Sequence, residues 1–261
     1  MQALQQGHAM IDRIILVTGA TAGFGLAIAR RFAADGWRVV ATGRRGERLA
    51  ALVEELGPAR CHSVPLDVRD RAAVAAAIAG LPGSFARIEL LVNNAGLAAG
   101  LDLAQGADLD DWDAMVDTNC KGLMYVTRAV LPGMVARNHG HVVNIGSTAG
   151  AWPYPGGNVY GATKAFVRQF SLNLRADLFG TKVRVTDIEP GLVGGTEFSA
   201  VRFKGDAGKA AAPYAGTEPL TPEDVADAVH WVASRPAHVN INAMELMPVS
   251  QSFGPLRVHK E

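Results

Sequence analysis

The feature that most restricts the fold is the order of strand, glycine turn and helix at the start of the chain. Residues 13–18 form a short run rich in Ile, Leu and Val, Gly19-Ala-Thr-Ala-Gly23-Phe-Gly25 follows, and a helical period then runs to about Asp35. Glycines let a backbone approach an anion closely, and a helix N-terminus favours negative charge. Gly19, Thr21, Ala22, Gly23, Phe24 and Gly25 are therefore the predicted cradle of a dinucleotide pyrophosphate. The alternative is a glycine-rich turn without a ligand; its position directly after the first strand favours the cradle.

The same alternation continues along the chain. Further strands are predicted over 37–42, 60–66, 88–92, 141–146, 182–188 and 241–247, and helices over 47–56, 70–79 and 158–179. A long helical region from Asp108 to about Arg137 should be kinked or interrupted at Pro132. Thr221-Pro-Glu-Asp reads as the cap of a last helix, with Thr at N-cap and Pro at the first helical position. Strands alternating with helices imply right-handed crossovers and a parallel sheet. The expected class is α/β: one Rossmann-type, doubly wound, seven-stranded parallel sheet with helices on both faces. This single domain should span 11–261, after a flexible extension over 1–10. Residues 198–219 show no clear period, and a loop of that length reads as a substrate lid.

Composition narrows the partners. The chain has 261 residues, 49% hydrophobic and 19% charged, with net charge +0, which argues against bulk electrostatic binding to nucleic acid. No run is long and apolar enough to span a membrane, and the first residues lack the charged-then-apolar layout of a secretion signal. Cys61 and Cys120 read as free thiols in a reducing compartment, so the cytoplasm is the expected location. His139-Gly140-His141 has no acidic or cysteine cluster beside it, and no metal site is predicted.

A second stretch carries chemistry. Ser147 ends an apolar run, and Tyr160 and Lys164 follow four residues apart, on one face of a helix. A tyrosine titrates near pH 10 and is a poor acid or base at neutrality; a nearby cation lowers that value. Tyr160 beside Lys164 is thus a candidate general acid/base, and Ser147 a hydrogen-bond donor to a substrate oxygen. Taken alone, Tyr-x-x-x-Lys is more simply an ordinary helix pair; the upstream Ser and the glycine turn reverse that preference.

The Gly-x-x-x-Gly-x-Gly spacing, together with Asn93-Asn94-Ala95-Gly96, Ser147, Tyr160-x-x-x-Lys164 and Pro190-Gly191, resembles the short-chain dehydrogenase/reductase family over nearly the whole chain. The resemblance implies an oxidoreductase. It gives Asn119, in Asp117-Thr118-Asn119-Cys120-Lys121-Gly122, as a fourth catalytic member holding a water that relays protons to Lys164. It implies adenine contacts from Asp67 and Val68, adenosine-side contacts from Asn93 and Asn94, and nicotinamide contacts from Pro190, Gly191, Leu192 and Val193. Lys164 would also hold the nicotinamide ribose, next to Tyr160. The family's diphosphate-binding Thr is displaced by one, from the position of Gly195 to Thr196. After the second strand stand Arg44 and Arg45 rather than an acid, so a 2′-phosphate should be welcome and the cofactor should be NADP(H).

Thr42-Gly-Arg-Arg, Gly191-Leu-Val-Gly-Gly-Thr-Glu-Phe and Val201-Arg-Phe-Lys-Gly resemble the NADP-dependent 3-hydroxy acid dehydrogenases. The implied substrates are serine, L-allo-threonine, and 3-hydroxypropionate with its partner malonic semialdehyde; in the lid, Arg202 or Lys204 could receive the substrate carboxylate, or both could be solvated. The family also implies a homotetramer. In that setting Phe166, Phe170, Leu174 and Leu178 would serve the core and its edges an interface, and the tail, with Phe253, Leu256 and Val258, would pack on a neighbour. Two alternatives stand beside this: a reductase of an acyl-thioester, sugar or steroid on the same scaffold, and a non-catalytic NADP-sensing protein.

Overall fold

The computed structural model describes residues 13–254; the expected extension over 1–10 and the tail residues Leu256 and Val258 lie outside them. The first strand is β1 (Ile14–Val17), and all of its side chains are buried. Ile15 and Val17 join one hydrophobic cluster, while Ile14 and Leu16 join another on the opposite face. That two-sided burial is why the run is continuously apolar rather than alternating.

The elements then follow in order: α1 (Gly23–Ala34), β2 (Arg38–Gly43), α2 (Gly46–Leu56), β3 (Cys61–Pro65), α3 (Arg71–Ala79) and β4 (Leu90–Asn93). After them come α4 (Leu109–Val116), α5 (Leu123–Ala136), β5 (Gly140–Ile145), α6 (Asn158–Asp177) and β6 (Val183–Pro190). The chain continues with α7 (Phe198–Arg202), α8 (Ala207–Ala211), α9 (Pro222–Ala233) and β7 (Ala243–Leu246). Seven parallel strands are ordered β3-β2-β1-β4-β5-β6-β7. Residues of α1, α2 and α9 (Phe32, Leu52, Val229) fill the core on one face; α3, α5 and α6 (Val74, Val130, Leu174) fill it on the other. Chain order reverses between β1 and β4, which makes their carboxyl ends the natural crevice for a ligand.

Capping explains several helix starts. Asp70 accepts from the backbone N–H of Ala72 and Ala73 at the head of α3. Thr221 and Asp224 form a reciprocal capping box at the head of α9.

Two expectations need correction. Pro132 does not interrupt its helix; it lies within α5. The break falls earlier, where Asp117–Gly122 forms a π-helical turn between α4 and α5. Nor is the stretch over 198–219 without structure, since it contains α7, α8 and a 3-10 turn, Ala212–Tyr214. These pieces are too short to produce a readable helical period. In the helix of the expected apolar stripe, Leu174 and Leu178 are buried, and Phe166 and Phe170 are half-buried and stacked with centroids 5.8 Å apart.

Candidate active site

A cavity of about 320 Å³ opens at the carboxyl ends of β1 and β4. Its floor is the glycine turn. Gly19 and Gly23 have φ of +67° and +51°, a left-handed backbone that side chains rarely adopt. Thr21, Ala22 and Phe24 line the cavity beside them. Gly25 does not; a Cβ there would strike the Gly19 carbonyl and come within 2.5 Å of Asn94 Nδ2, so its role is to let α1 pack against the turn. A cradle that only glycine can form, at a helix N-terminus, fits a pyrophosphate.

Arg44 and Arg45 line one end of the cavity. Arg45 donates to Thr21 Oγ1 at 2.9 Å and to Glu197 at 2.7 Å, and Arg48 donates to the same carboxylate at 2.8 Å. Hydrogen bonds from Arg45 and then Arg48 hold the Glu197 carboxyl below the usual carboxylate range. Arg48 and Glu197 were not singled out from the sequence; Glu197 directly follows Thr196, and that adjacency was the available signal. Thr196 lies against Gly23, with its methyl 3.3 Å from where a Cβ of Gly23 would sit. Gly195 has φ of +68°, a conformation that disfavours a β-branched residue.

Asp67 and Val68 line the same cavity. Asp67 does not cap α3, since Asp70 does. Its carboxylate accepts from Arg69 at 2.6 Å, and that bond holds it below its ordinary range. Asn94 lines the cavity and staples the glycine turn, donating to the Thr18 carbonyl at 2.8 Å. Asn93 is turned away from it: its amide donates to Thr127 and Asn144, each at 2.8 Å, inside the sheet. This follows from strand alternation, which sends neighbours to opposite faces.

At the other end Tyr160 and Lys164 are both 8% exposed. The Lys164 ammonium lies 5.9 Å from the Tyr160 ring centroid and donates to the Ile145 carbonyl at 2.7 Å. Burial lowers the Lys164 pKa to about 8; Asp187 and Cys120, when ionised, act against it. Burial also pushes Tyr160 up to about 12, with the Ser147 hydroxyl and Arg202 pulling the other way. Lys164 is not among the groups that lower the phenol, and desolvation of the phenolate outweighs the Ser147 and Arg202 contributions.

Ser147 Oγ donates to the Pro190 carbonyl at 3.3 Å and accepts from the Ala149 N–H at 3.1 Å. Asn119 sits in the π turn, a local widening that often marks functional sites. Its amide donates to the Leu97 carbonyl at 2.8 Å and to Thr163 Oγ1 at 3.0 Å, and its oxygen accepts from the Leu97 N–H at 2.9 Å. The side chain is thus engaged in positioning Leu97 and Thr163. Gly96 shows how close the parts are: a Cβ there would be 3.2 Å from Asn119 Oδ1 and 3.7 Å from Lys164 Nζ.

Arg202, from α7, reaches over the phenol, with its guanidinium 5.7 Å from the Tyr160 ring centroid. It donates to the Tyr154 hydroxyl at 2.9 Å and to the Gly100 carbonyl at 3.1 Å. Tyr154 was not foreseen, although it lies in the run between Ser147 and Tyr160. Of the Pro190–Val193 group, Pro190 accepts the Ser147 bond, Gly191 donates to the Leu246 carbonyl at 2.7 Å, and Leu192 donates to Gln251 at 2.7 Å. Val193 is bridged to Leu220, and none of the four lines the cavity.

Comparison with known proteins points one way. Residues 13–206 match the short chain dehydrogenase family. The chain is 66% identical over 248 residues to an NADP-dependent 3-hydroxy acid dehydrogenase, YdfG, of Escherichia coli strain K12, covering 95% of this chain and 100% of that one. It is 54% identical over 247 residues to a serine 3-dehydrogenase of Rhizobium radiobacter, covering 95% of this chain and 98% of the other. Among solved structures, the closed form of serine dehydrogenase complexed with NADP+ superposes with a TM-score of 0.94 at 66% identity, over 95% of this chain and 100% of that one.

Proposed function

The chain belongs to the short chain dehydrogenase family, and on that premise we propose that it is an NADP-dependent 3-hydroxy acid dehydrogenase. It interconverts small 3-hydroxy acids, serine among them, with their 3-oxo forms. The observation that carries this is the meeting of Tyr160 and Lys164, with the Arg202 guanidinium over the Tyr160 ring, in a glycine-floored cleft that also presents Arg44 and Arg45.

The glycine turn, Arg44 and Arg45 would hold NADP(H), with Asp67, Val68 and Asn94 along the adenosine side and Lys164 at the nicotinamide ribose. Bound there, the cofactor supplies or accepts the hydride. In reduction Tyr160 gives its proton to the carbonyl oxygen. A phenol held protonated by burial is already in the form this step uses. The Lys164 ammonium then stabilises the phenolate left behind. In oxidation Tyr160 takes the hydroxyl proton back. Ser147 exchanges its Pro190 bond for one to the substrate oxygen. Arg202, with the Tyr154 hydroxyl on it, receives the substrate carboxylate. Asn119 braces Leu97 beside Lys164 and keeps the relay water at its backbone.

The same reading includes a homotetramer in the cytoplasm. Its support is the apolar surface of α6 and its end, where Leu172 is 44% and Phe179 88% exposed, together with two free buried cysteines. Sedimentation equilibrium tests the assembly. An NADP+-reduction screen over serine, L-allo-threonine, 3-hydroxypropionate and a 3-hydroxyacyl thioester, with NAD+ as control, tests the activity. Turnover of the free acids with NADP+ is the expected result. Preference for the thioester would move the chain to the neighbouring reductase class, and NADPH binding without any turnover would make it a sensor.

A further inference from the structure

On β6, beside β5, lies a pair of buried acids that the reaction above does not use. Asp187 and Glu189, on the same face of β6, are 1% and 3% exposed. Burying one carboxylate is costly, and burying two side by side more so, unless a proton or a cation compensates. Neither Asp187 oxygen has a hydrogen-bond partner among the described residues. The surroundings place Asp187 against the segment that holds the active-site lysine. Asp187 is paired across the sheet with Asn144 of β5, and its carboxylate abuts Gly146, where a Cβ would lie 2.5 Å from Oδ1 and 2.9 Å from Oδ2. The carbonyl just before Gly146, that of Ile145, is the one to which Lys164 donates. One turn further along α6, Arg168 reaches Glu189 at 3.5 Å.

We infer that Asp187 and Glu189 are positioning residues that set the charge of the Lys164 ammonium, in opposite senses. This rests on the proposed roles of Tyr160 and Lys164. Asp187, when ionised, is a compensating charge for Lys164 and raises the lysine against burial. Glu189 works against Asp187. Burial first, and the Glu189 charge next, push Asp187 up to about 8, so it keeps its proton near neutrality; Lys164 and Arg168 pull the other way. The remaining neighbours do not compete for the role. Cys120 faces Lys164, but burial pushes its thiol up to about 11, so it is neutral there. Asn144 is uncharged, and Glu245, the β7 partner of Glu189, is exposed and accepts from Trp152 Nε1 at 3.0 Å. Asp187 is thus raised and Lys164 lowered toward one another, so the charge of each depends on the charge of the other.

The two substitutions therefore have opposite expected signs. Asp187→Asn removes the compensating charge, so Lys164 loses its proton at lower pH. Glu189→Gln lets Asp187 ionise earlier, so Lys164 keeps its proton to higher pH. The readout is the alkaline limb of kcat/KM for NADPH-dependent reduction of a small 3-oxo acid. Tyr160, held up to about 12, does not interfere in that range. The limb should move down by about one pH unit in Asp187→Asn and up by a similar amount in Glu189→Gln, with the double variant behaving like Asp187→Asn. A role confined to packing moves neither limb, or both in one direction, and either outcome overturns the inference. If Asp187→Asn fails to fold, Glu189→Gln alone decides, and an unshifted or lowered limb refutes it. Lys164→Ala separates the two levels. Lost turnover in that variant with unshifted limbs in the other two sinks only this inference, whereas undiminished turnover sinks the proposed function.

Discussion

The two ends of the cleft hold their charges in opposite ways. At the arginine end, Arg45, Arg48 and Glu197 keep 37–44% of their side-chain surface in water and neutralise one another in direct ion pairs. At the phenol end, Tyr160 and Lys164 are 8% exposed, and burial moves them to about 12 and about 8. Charges in water interact weakly and rearrange easily, which suits a site that must take up and release a phosphate-bearing cofactor. Charges out of water respond strongly to every neighbour, which suits proton transfer. On the proposed roles, one cleft divides holding from chemistry along its length.

Substitutions at the two ends should separate these tasks. Lys164→Ala should lower turnover by at least about 100-fold, because it removes the cation beside the phenol. Stopped-flow NADPH oxidation would measure this, and a loss below about tenfold would break the comparison. Arg45→Ala should instead raise the KM for NADP+ by about ten- to a hundredfold and change kcat far less. It should also narrow the preference over NAD+. An equal loss with both cofactors would place the 2′-phosphate elsewhere. Arg202→Ala should raise the KM for the hydroxy acid by about tenfold and leave the KM for NADP+ nearly alone. An unchanged acid KM would remove Arg202 from the substrate. The smallest effect belongs to Glu197→Gln. Its ion pairs are solvent-exposed, so thermal unfolding should register less than about 1 kcal/mol. A larger loss would mean that this end is drier than its exposure indicates.

Much of this division is legible in the sequence. The glycine turn, the paired arginines and the Tyr160–Lys164 spacing are local patterns, and local backbone rules suffice to read them. Strand positions also emerge to within a residue or two, because two-sided burial leaves continuous apolar runs such as Ile14–Val17. What escapes depends on contacts made across the fold. The π turn at Asp117–Gly122 leaves no periodic trace, because it shifts the helical register within a single turn. The inward turn of Asn93 depends on Thr127 and Asn144, which are distant in sequence. The rise of the Tyr160 pKa depends on how much water the folded chain excludes, and spacing to a lysine cannot report that. Tyr154 and Glu197 become relevant only through arginines on other elements, Arg202 and Arg45.

The most direct test of the division is an NADPH fluorescence titration of Tyr160→Phe, made on the same preparation used to assay turnover. The expected result is a dissociation constant within about threefold of the parent while turnover is almost abolished, as when a group acts only in the chemical step. Parental turnover in this variant, or turnover lost only because NADPH no longer binds, would contradict it.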